Sequence, residues 1–128
     1  MNQICDFMST PILSVDSDTT VREVSLYMFK CKVGSMLIKE NDGYIGIITE
    51  ADINHKLVGK DLSPEATLVT EIMTSPVLTL SGDLHISEAN SFMAKNKIRH
   101  LGVTLDGKIT GMFSIQNLVN YYANYLGK

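Results

Sequence analysis

The sequence predicts an α/β fold (α+β in some classifications) made of two β-α-β-β-α repeats that pack with pseudo-two-fold symmetry. Residues 8–15 read Met-Ser-Thr-Pro-Ile-Leu-Ser-Val, and residues 73–80 repeat the pattern as Met-Thr-Ser-Pro-Val-Leu-Thr-Leu, 65 positions later. Within each copy, apolar residues recur at helical spacing and are followed by two apolar runs around a turn. Because each half alone would leave an apolar face uncovered, the two halves are expected to pack on each other.

A short strand and a helix are predicted at the start of each copy. The apolar residues after Pro11 predict the strand. Thr20, followed three residues later by Glu23, predicts a capping box at the start of the helix. One apolar helix face is expected to contain Val21, Val24, Met28 and Cys31. The second copy repeats this face with Ile86, Ala89 and Met93.

A hairpin and a second helix complete each predicted copy. In the first copy, apolar runs at 35–39 and 44–49 flank Asn41-Asp42-Gly43, which is typical of a hairpin turn. Alignment of Asp42-Gly43 with Asp106-Gly107 requires a one-residue slip between the copies. The second helix is expected from about Glu50. Its counterpart carries Tyr121, Tyr122 and Tyr125, which either form an interface patch or pack on their own domain.

The predicted organisation is a single module over residues 1–128. The first repeat is expected at 8–55 and the second at 73–124, with a connector at 56–72. The connector contains turn residues, Gly-Lys-Asp-Leu-Ser-Pro, and is short for a link between independent domains.

Composition excludes several classes of protein. The chain has 128 residues, 45% hydrophobic and 20% charged, as in ordinary globular domains. Its net charge is −3 without a basic cluster, so no nucleic-acid partner is expected. No run of about 18 apolar residues predicts a membrane span, and the first residues lack the features of a signal peptide. We therefore expect a cytoplasmic protein whose Cys5 and Cys31 are reduced thiols without metal-binding spacing.

Polar residues at the ends of the predicted hairpins are candidates for ligand binding. Asp52 follows Thr49 by three residues, and a carboxylate in a first helical turn can accept hydrogen bonds from the two vicinal hydroxyls of a ribose. The same pair also fits an ordinary helix cap, and both roles can hold at once. Ser114 and Asn117 occupy these positions in the second copy, where the neutral amide predicts weaker ribose binding or only a cap.

The adjacent residues Arg99 and His100 are candidates for phosphate binding. A guanidinium fork and an imidazole suit phosphate oxygens, although Arg99 alone also fits a solvated strand edge. The corresponding residues of the first copy are Gly34 and Ser35, which carry no charge. The sequence therefore predicts an asymmetric protein with one good phosphate site and one poor one.

The repeated motifs together resemble those of a tandem pair of CBS domains, the Bateman module. The resemblance covers almost the whole chain. Its markers are Met-Ser-Thr-Pro, Met-Thr-Ser-Pro, Ile-Arg-His-Leu at 98–101, and the endings Gly-x-x-Thr-x-x-Asp and Gly-x-x-Ser-x-x-Asn. It implies one disk-like unit that commonly forms a homodimer and binds AMP, ADP, ATP or S-adenosylmethionine in clefts between its repeats. One departure is that Gly102 and Leu37 stand where members often have proline.

The resemblance also implies which residues line each cleft. The main cleft would be lined by Thr49, Ala51, Asp52, Val77, Leu78, Ile98, Arg99 and His100. The weaker second cleft would be lined by Ile12, Leu13, Val33, Ser35, Ser114, Gln116 and Asn117. Adenine would lie in an apolar slot and meet main-chain groups of Val77 or Leu78. The apolar side chains of both slots, which include Ile47 and Met112, also fit a plain hydrophobic core.

These observations predict a non-enzymatic regulatory module with no obligatory cofactor and no metal. Binding of an adenosyl ligand would change its conformation, and an effector protein of unknown identity would respond to that change. The alternative is a ligand-independent dimerisation or scaffold module. Catalysis is not expected because the sequence contains no nucleophile-base motif and no P-loop.

Overall fold

The computed structural model describes residues 2–126, which divide into two compact units. One unit, here the central unit, is formed by Leu13–Val77. The other, here the terminal unit, is formed by Met1–Ile12 with Leu78–Lys128. The segment that ends at Ile12 precedes the first strand of the first repeat, but it belongs to the terminal unit. The segment that ends at Val77 precedes the first strand of the second repeat, but it belongs to the central unit.

The central unit contains a three-stranded sheet of order β1-β2-β3. Strand β1 runs parallel to β2, and β2 runs antiparallel to β3. Its elements are β1 (Ser14–Asp16), α2 (Val21–Cys31), β2 (Ser35–Glu40), β3 (Gly43–Thr49), α3 (Glu50–Asp52), a π-helix (Ile53–Val58) and α4 (Val69–Ile72).

The terminal unit repeats this topology in a sheet of order β4-β5-β6. Strand β4 is parallel to β5, and β5 is antiparallel to β6. Its elements are α1 (Ile4–Phe7), β4 (Thr79–Ser81), α5 (Ile86–Asn96), β5 (His100–Leu105), β6 (Lys108–Ser114) and α6 (Ile115–Leu126). The predicted fold class is confirmed, since both units contain the β-α-β-β-α repeat.

The two repeats match without a slip, so the predicted one-residue slip is wrong. Strands β2 and β5 and strands β3 and β6 each begin 65 positions apart. The turn residues are Asn41-Asp42 and Asp106-Gly107, and the first residue of each turn is left-handed, with φ of 56° and 53°. Asp42-Gly43 and Asp106-Gly107 are alike in residue type but not in position, since Gly43 is the first residue of β3 and Gly107 is a turn residue.

Helix α2 shows how the local sequence determines the fold. The predicted capping box forms, because the Thr20 hydroxyl accepts the Glu23 N–H at 3.2 Å and Glu23 accepts the Thr20 N–H at 3.0 Å. Val21, Val24 and Met28 are buried as predicted, but Cys31 is exposed. Cys31 is the last residue of the helix, and left-handed Lys32 then turns the chain away.

Each unit has its own hydrophobic core. The buried residues of the central core come mainly from α2, β2 and α4, and those of the terminal core from α5, β5 and α6. Tyr121 is buried in the terminal core, where its ring meets that of Phe7 edge to face at 4.9 Å, whereas Tyr125 is 63% exposed. Fully buried Ile4 joins this core from α1, a helix too short to leave a periodic pattern.

Within residues 2–126, no helix combines the length and the apolar character needed to cross a bilayer.

Candidate functional site

The predicted pair Thr49 and Asp52 forms a closed capping box where β3 passes into α3. The Asp52 Oδ2 atom accepts the Thr49 N–H at 3.0 Å and the Thr49 hydroxyl at 3.1 Å. In return, the Asp52 N–H donates to Thr49 Oγ1 at 3.2 Å. These local bonds fix the orientation of a carboxylate that is only 5% exposed.

The second carboxylate oxygen of Asp52 is held by two side chains that are not among the predicted site residues, Thr74 and Lys56. Asp52 Oδ1 accepts the Thr74 hydroxyl at 2.8 Å and pairs with the Lys56 ammonium at 2.8 Å. Lys56 also donates to the Ile72 carbonyl at 3.2 Å and to Thr74 Oγ1 at 3.3 Å. A carboxylate offers about four lone-pair sites, and protein donors meet all of them here. The spacing of Lys56 four residues after Asp52 on a helix was the available signal.

Thr74 reaches Asp52 because its segment lies along β3. Ile47 and Thr74 exchange both main-chain hydrogen bonds, at 2.9 and 2.8 Å. Gly46 permits this approach, since a Cβ atom there would lie 2.6 Å from Met73 Sδ and 3.0 Å from the Thr74 carbonyl oxygen. The glycine of the Gly-x-x-Thr-x-x-Asp motif therefore admits the segment that carries the Thr74 hydroxyl.

The terminal unit holds a neutral version of this arrangement. Asn117 Oδ1 accepts the Ser114 N–H at 2.8 Å and the Ser114 hydroxyl at 3.1 Å. Its amide nitrogen donates to Ser9 Oγ at 3.1 Å, and Ser9 exchanges main-chain bonds with Met112. The position equivalent to Lys56 is Tyr121, 65 residues later, so no ammonium stands there. The predicted asymmetry in charge between Asp52 and Asn117 thus extends to their partners.

Arg99 and His100 lie beside the Ser114 cap in the terminal unit. His100 pairs with Ser114 across β5 and β6, and the Arg99 carbonyl accepts the Ile115 N–H at 2.9 Å. Arg99 is exposed and His100 is half-buried. Thr49 and Asp52 belong to the central unit, and the idea that Arg99 and His100 share a ligand with Asp52 stays a prediction.

The other predicted ligand residues divide between the two units. Ile12, Leu78, Ile98 and Gln116 belong to the terminal unit, and Leu13, Val33, Ser35, Ala51 and Val77 to the central unit. Leu13 and Val33 pack against the central core and Ile98 against the terminal core, as the plain-core alternative predicts. Gln116 donates along α6 to Asn120 at 3.0 Å. Their contacts with a ligand stay predictions.

The departure from proline at Gly102 and Leu37 has a structural counterpart. The Gly102 N–H donates to the Leu78 carbonyl at 2.9 Å, and the Leu37 N–H donates to the Leu13 carbonyl at 3.1 Å. Proline has no N–H group and would make neither bond. The Leu78 carbonyl, one of the main-chain groups considered for adenine, is therefore already engaged.

No cluster of three or more potential metal ligands (His, Cys, Asp or Glu) occurs among the described residues.

Comparisons with known proteins agree with this architecture. The family model of the CBS domain matches residues 4–59 and 69–124. A protein of Methanopyrus kandleri is 34% identical over 102 residues, which are 78% of this chain and 52% of that protein, so this chain spans about half of its length. A CBS-domain protein structure from Burkholderia ambifaria has a TM-score of 0.90 at 29% identity, with 95% of this chain and 94% of that chain covered.

A further solved structure shares the fold at lower identity. It is the CBS domain pair of protein MJ0100 in complex with 5′-methylthioadenosine and S-adenosyl-L-methionine. Its TM-score is 0.83 at 23% identity, with 94% of this chain and 98% of that chain covered. At this identity the likeness shows the common fold alone.

Proposed function

Since this chain belongs to the CBS-domain family and is a tandem pair of the kind that serves as a regulatory module, we propose that it binds an adenosine-containing ligand through Asp52. The observation that carries the proposal is the oriented, buried carboxylate of Asp52. Its Oδ2 atom is fixed by Thr49, whereas its Oδ1 atom meets a side-chain hydroxyl and a side-chain ammonium. Two vicinal ribose hydroxyls can replace these two donors at Oδ1 without disturbing the cap.

The geometry around Oδ1 supports this exchange. The Thr74 hydroxyl, at 2.8 Å, already makes the hydrogen bond that a ribose hydroxyl would make. The Lys56 side chain is 39% exposed and can move into solvent, whereas the Asp52 side chain is 6% exposed and is held by its cap. Hydrogen bonds to a charged acceptor contribute about 1.5–3 kcal/mol each, so a ribose hydroxyl would gain more from this carboxylate than from a neutral acceptor. Asn117 lacks the charge and is proposed to bind ribose more weakly.

The ligand class rests on chemistry and on the shared fold. AMP, ADP, ATP and S-adenosylmethionine all carry a ribose attached to adenine. The MJ0100 pair binds two adenosyl compounds in its own structure. Arg99 and His100 remain the predicted partners of a phosphate group, because they offer a cationic fork and an imidazole.

Regulation would follow from the release of Thr74. The segment that carries Thr74 leads to Val77, where the chain leaves the central unit. A ribose that takes Asp52 Oδ1 removes one bond between this segment and α3. The proposed signal is the resulting change in the segment, to which an effector protein responds. The ligand can shift the equilibrium between the two conformations by no more than the difference in its binding free energy for them.

Thermal unfolding with and without ligand tests the proposal. AMP, ATP or S-adenosylmethionine at about a hundred times its dissociation constant should stabilise the protein by about 2.7 kcal/mol. Asp52→Asn should remove most of this gain, because it places in the central unit the residue that the terminal unit has at Asn117. Glu50→Gln, which removes a neighbouring exposed charge, serves as the control and should retain the gain. No stabilisation of the wild type by any of the three ligands would contradict the proposal.

Self-association is a second candidate function, favoured by one helix face. Ile115, Val119 and Tyr122 lie on one face of α6 and are 36%, 52% and 37% exposed. Exposed apolar patches of this kind mark interaction surfaces, and a homodimer is the proposed state. Light scattering should give twice the mass of the chain. If that mass is found while no nucleotide changes the stability, the scaffold function is favoured over ligand sensing.

A further inference from the structure

We propose that Lys56 determines the charge selectivity of the Asp52 site, so that ribosides with an anionic group bind better than neutral ones. This inference rests on the proposed binding of ribose to Asp52. It concerns a residue to which the sequence motif assigns no role. The contacts that carry it all lie within the central unit.

Lys56 neutralises Asp52 at the atom that ribose would use. Its ammonium lies 2.8 Å from Asp52 Oδ1, the same oxygen that accepts the Thr74 hydroxyl. The π-helix that follows α3 carries Lys56, and π-helical turns are frequent at functional sites. A ribose can therefore reach Oδ1 only by displacing a cation from a carboxylate that is almost fully buried.

The charge of the ligand then decides the cost of this displacement. A neutral riboside breaks the ion pair and leaves the ammonium with the Ile72 carbonyl and the Thr74 hydroxyl as its acceptors within residues 2–126. A riboside with a phosphate supplies a new anionic partner within reach of the flexible lysine side chain. The ion pair is thereby exchanged for another instead of being lost.

The terminal unit provides an internal comparison. There the acceptor is the neutral Asn117, and the position equivalent to Lys56 is Tyr121, which is buried against Phe7. At these two positions the central unit has a carboxylate and a cation, whereas the terminal unit has neither charge. This pairing of differences is what a counter-ion specific to Asp52 would produce.

Binding of AMP and of adenosine to the wild type and to Lys56→Met, measured by titration calorimetry, tests the inference. These two probes differ only in the phosphate. In Lys56→Met the preference for AMP over adenosine should fall by about tenfold or more, mainly because adenosine binds more tightly to the freed Oδ1. Lys60→Met is the matched control, since Lys60 is exposed on the same stretch of chain and should leave the preference unchanged.

Two further variants keep the test decisive if Lys56→Met folds poorly. Lys56→Gln should lower the preference in the same way, and Lys56→Arg, which keeps the charge, should largely retain it. If the wild type binds both probes and the Lys56 variants leave their ratio unchanged, the role of Lys56 is refuted while the ribose site stands. If the wild type binds neither probe, both the site and the role of Lys56 are refuted.

Discussion

Replacement of Gly46 by alanine should destabilise the central unit by overpacking the contact between β3 and the segment that carries Thr74. The added Cβ would lie 2.6 Å from Met73 Sδ, 3.0 Å from the Thr74 carbonyl oxygen and 3.1 Å from Met73 Cγ. The flexible Met73 side chain can move away. The Thr74 main chain cannot move without lengthening the two hydrogen bonds that it exchanges with Ile47.

The size of the effect follows from two opposing terms. Overpacking of a close contact costs about 1–3 kcal/mol, whereas alanine restricts the unfolded chain and returns about 0.4–1 kcal/mol. Gly46→Ala should therefore lower the free energy of unfolding by about 1–2 kcal/mol.

Urea denaturation followed by circular dichroism measures this loss, and the chain provides matched controls. Gly43→Ala lies in the same strand with no atom within 4 Å of its new Cβ, so its stability should stay within about 0.5 kcal/mol of the wild type. Gly111→Ala should resemble Gly46→Ala, since its Cβ would lie 2.5 Å from Met8 Sδ and 3.0 Å from the Ser9 carbonyl oxygen. Equal stabilities of Gly46→Ala and Gly43→Ala would refute the close-approach argument.

Two other substitutions test the fold and its helix cap. Ile4→Ala should lower the free energy of unfolding by about 2–5 kcal/mol, because Ile4 is fully buried in the terminal core. Urea denaturation measures this loss. A loss below about 1 kcal/mol would mean that the first residues do not belong to that core. Glu23→Gln tests a pH dependence, because the N–H and then the hydroxyl of Thr20 lower the pKa of Glu23 from its ordinary value of 4.5. The advantage of the wild type over Glu23→Gln should be present above pH 4.5 and disappear as the pH falls through the lowered pKa; an advantage that grows on acidification would contradict this.

The repeat and its elements were predictable because they depend on local patterns. The capping box at Thr20, the alternation of apolar runs and the 65-residue offset are all visible in a single sequence. The Asp-Gly pair places the first hairpin turn one residue too late, because Asp-Gly is a strong turn signal wherever it occurs. In the structure, Asn41 instead supplies the left-handed residue, and the copies match without a slip.

The candidate site was predictable only where its partners lie close in sequence. Thr49 and Asp52 are three residues apart and meet as a cap. Thr74 reaches Asp52 through strand pairing across 22 positions, which no local pattern reveals. The segment before the first strand of each repeat belongs to the unit of the other repeat, and this too depends on contacts between residues far apart in sequence. The spacing of Lys56 four residues after Asp52 allows an ion pair, but it does not show that the carboxylate would be buried.

The most direct test is a crystal structure of the protein with AMP bound. We expect ribose hydroxyl oxygens within hydrogen-bonding distance of Asp52 Oδ1, with the Thr74 hydroxyl displaced and the Thr49 cap intact. A bound nucleotide whose ribose lies elsewhere, with Thr74 and Lys56 still on Asp52, would contradict it.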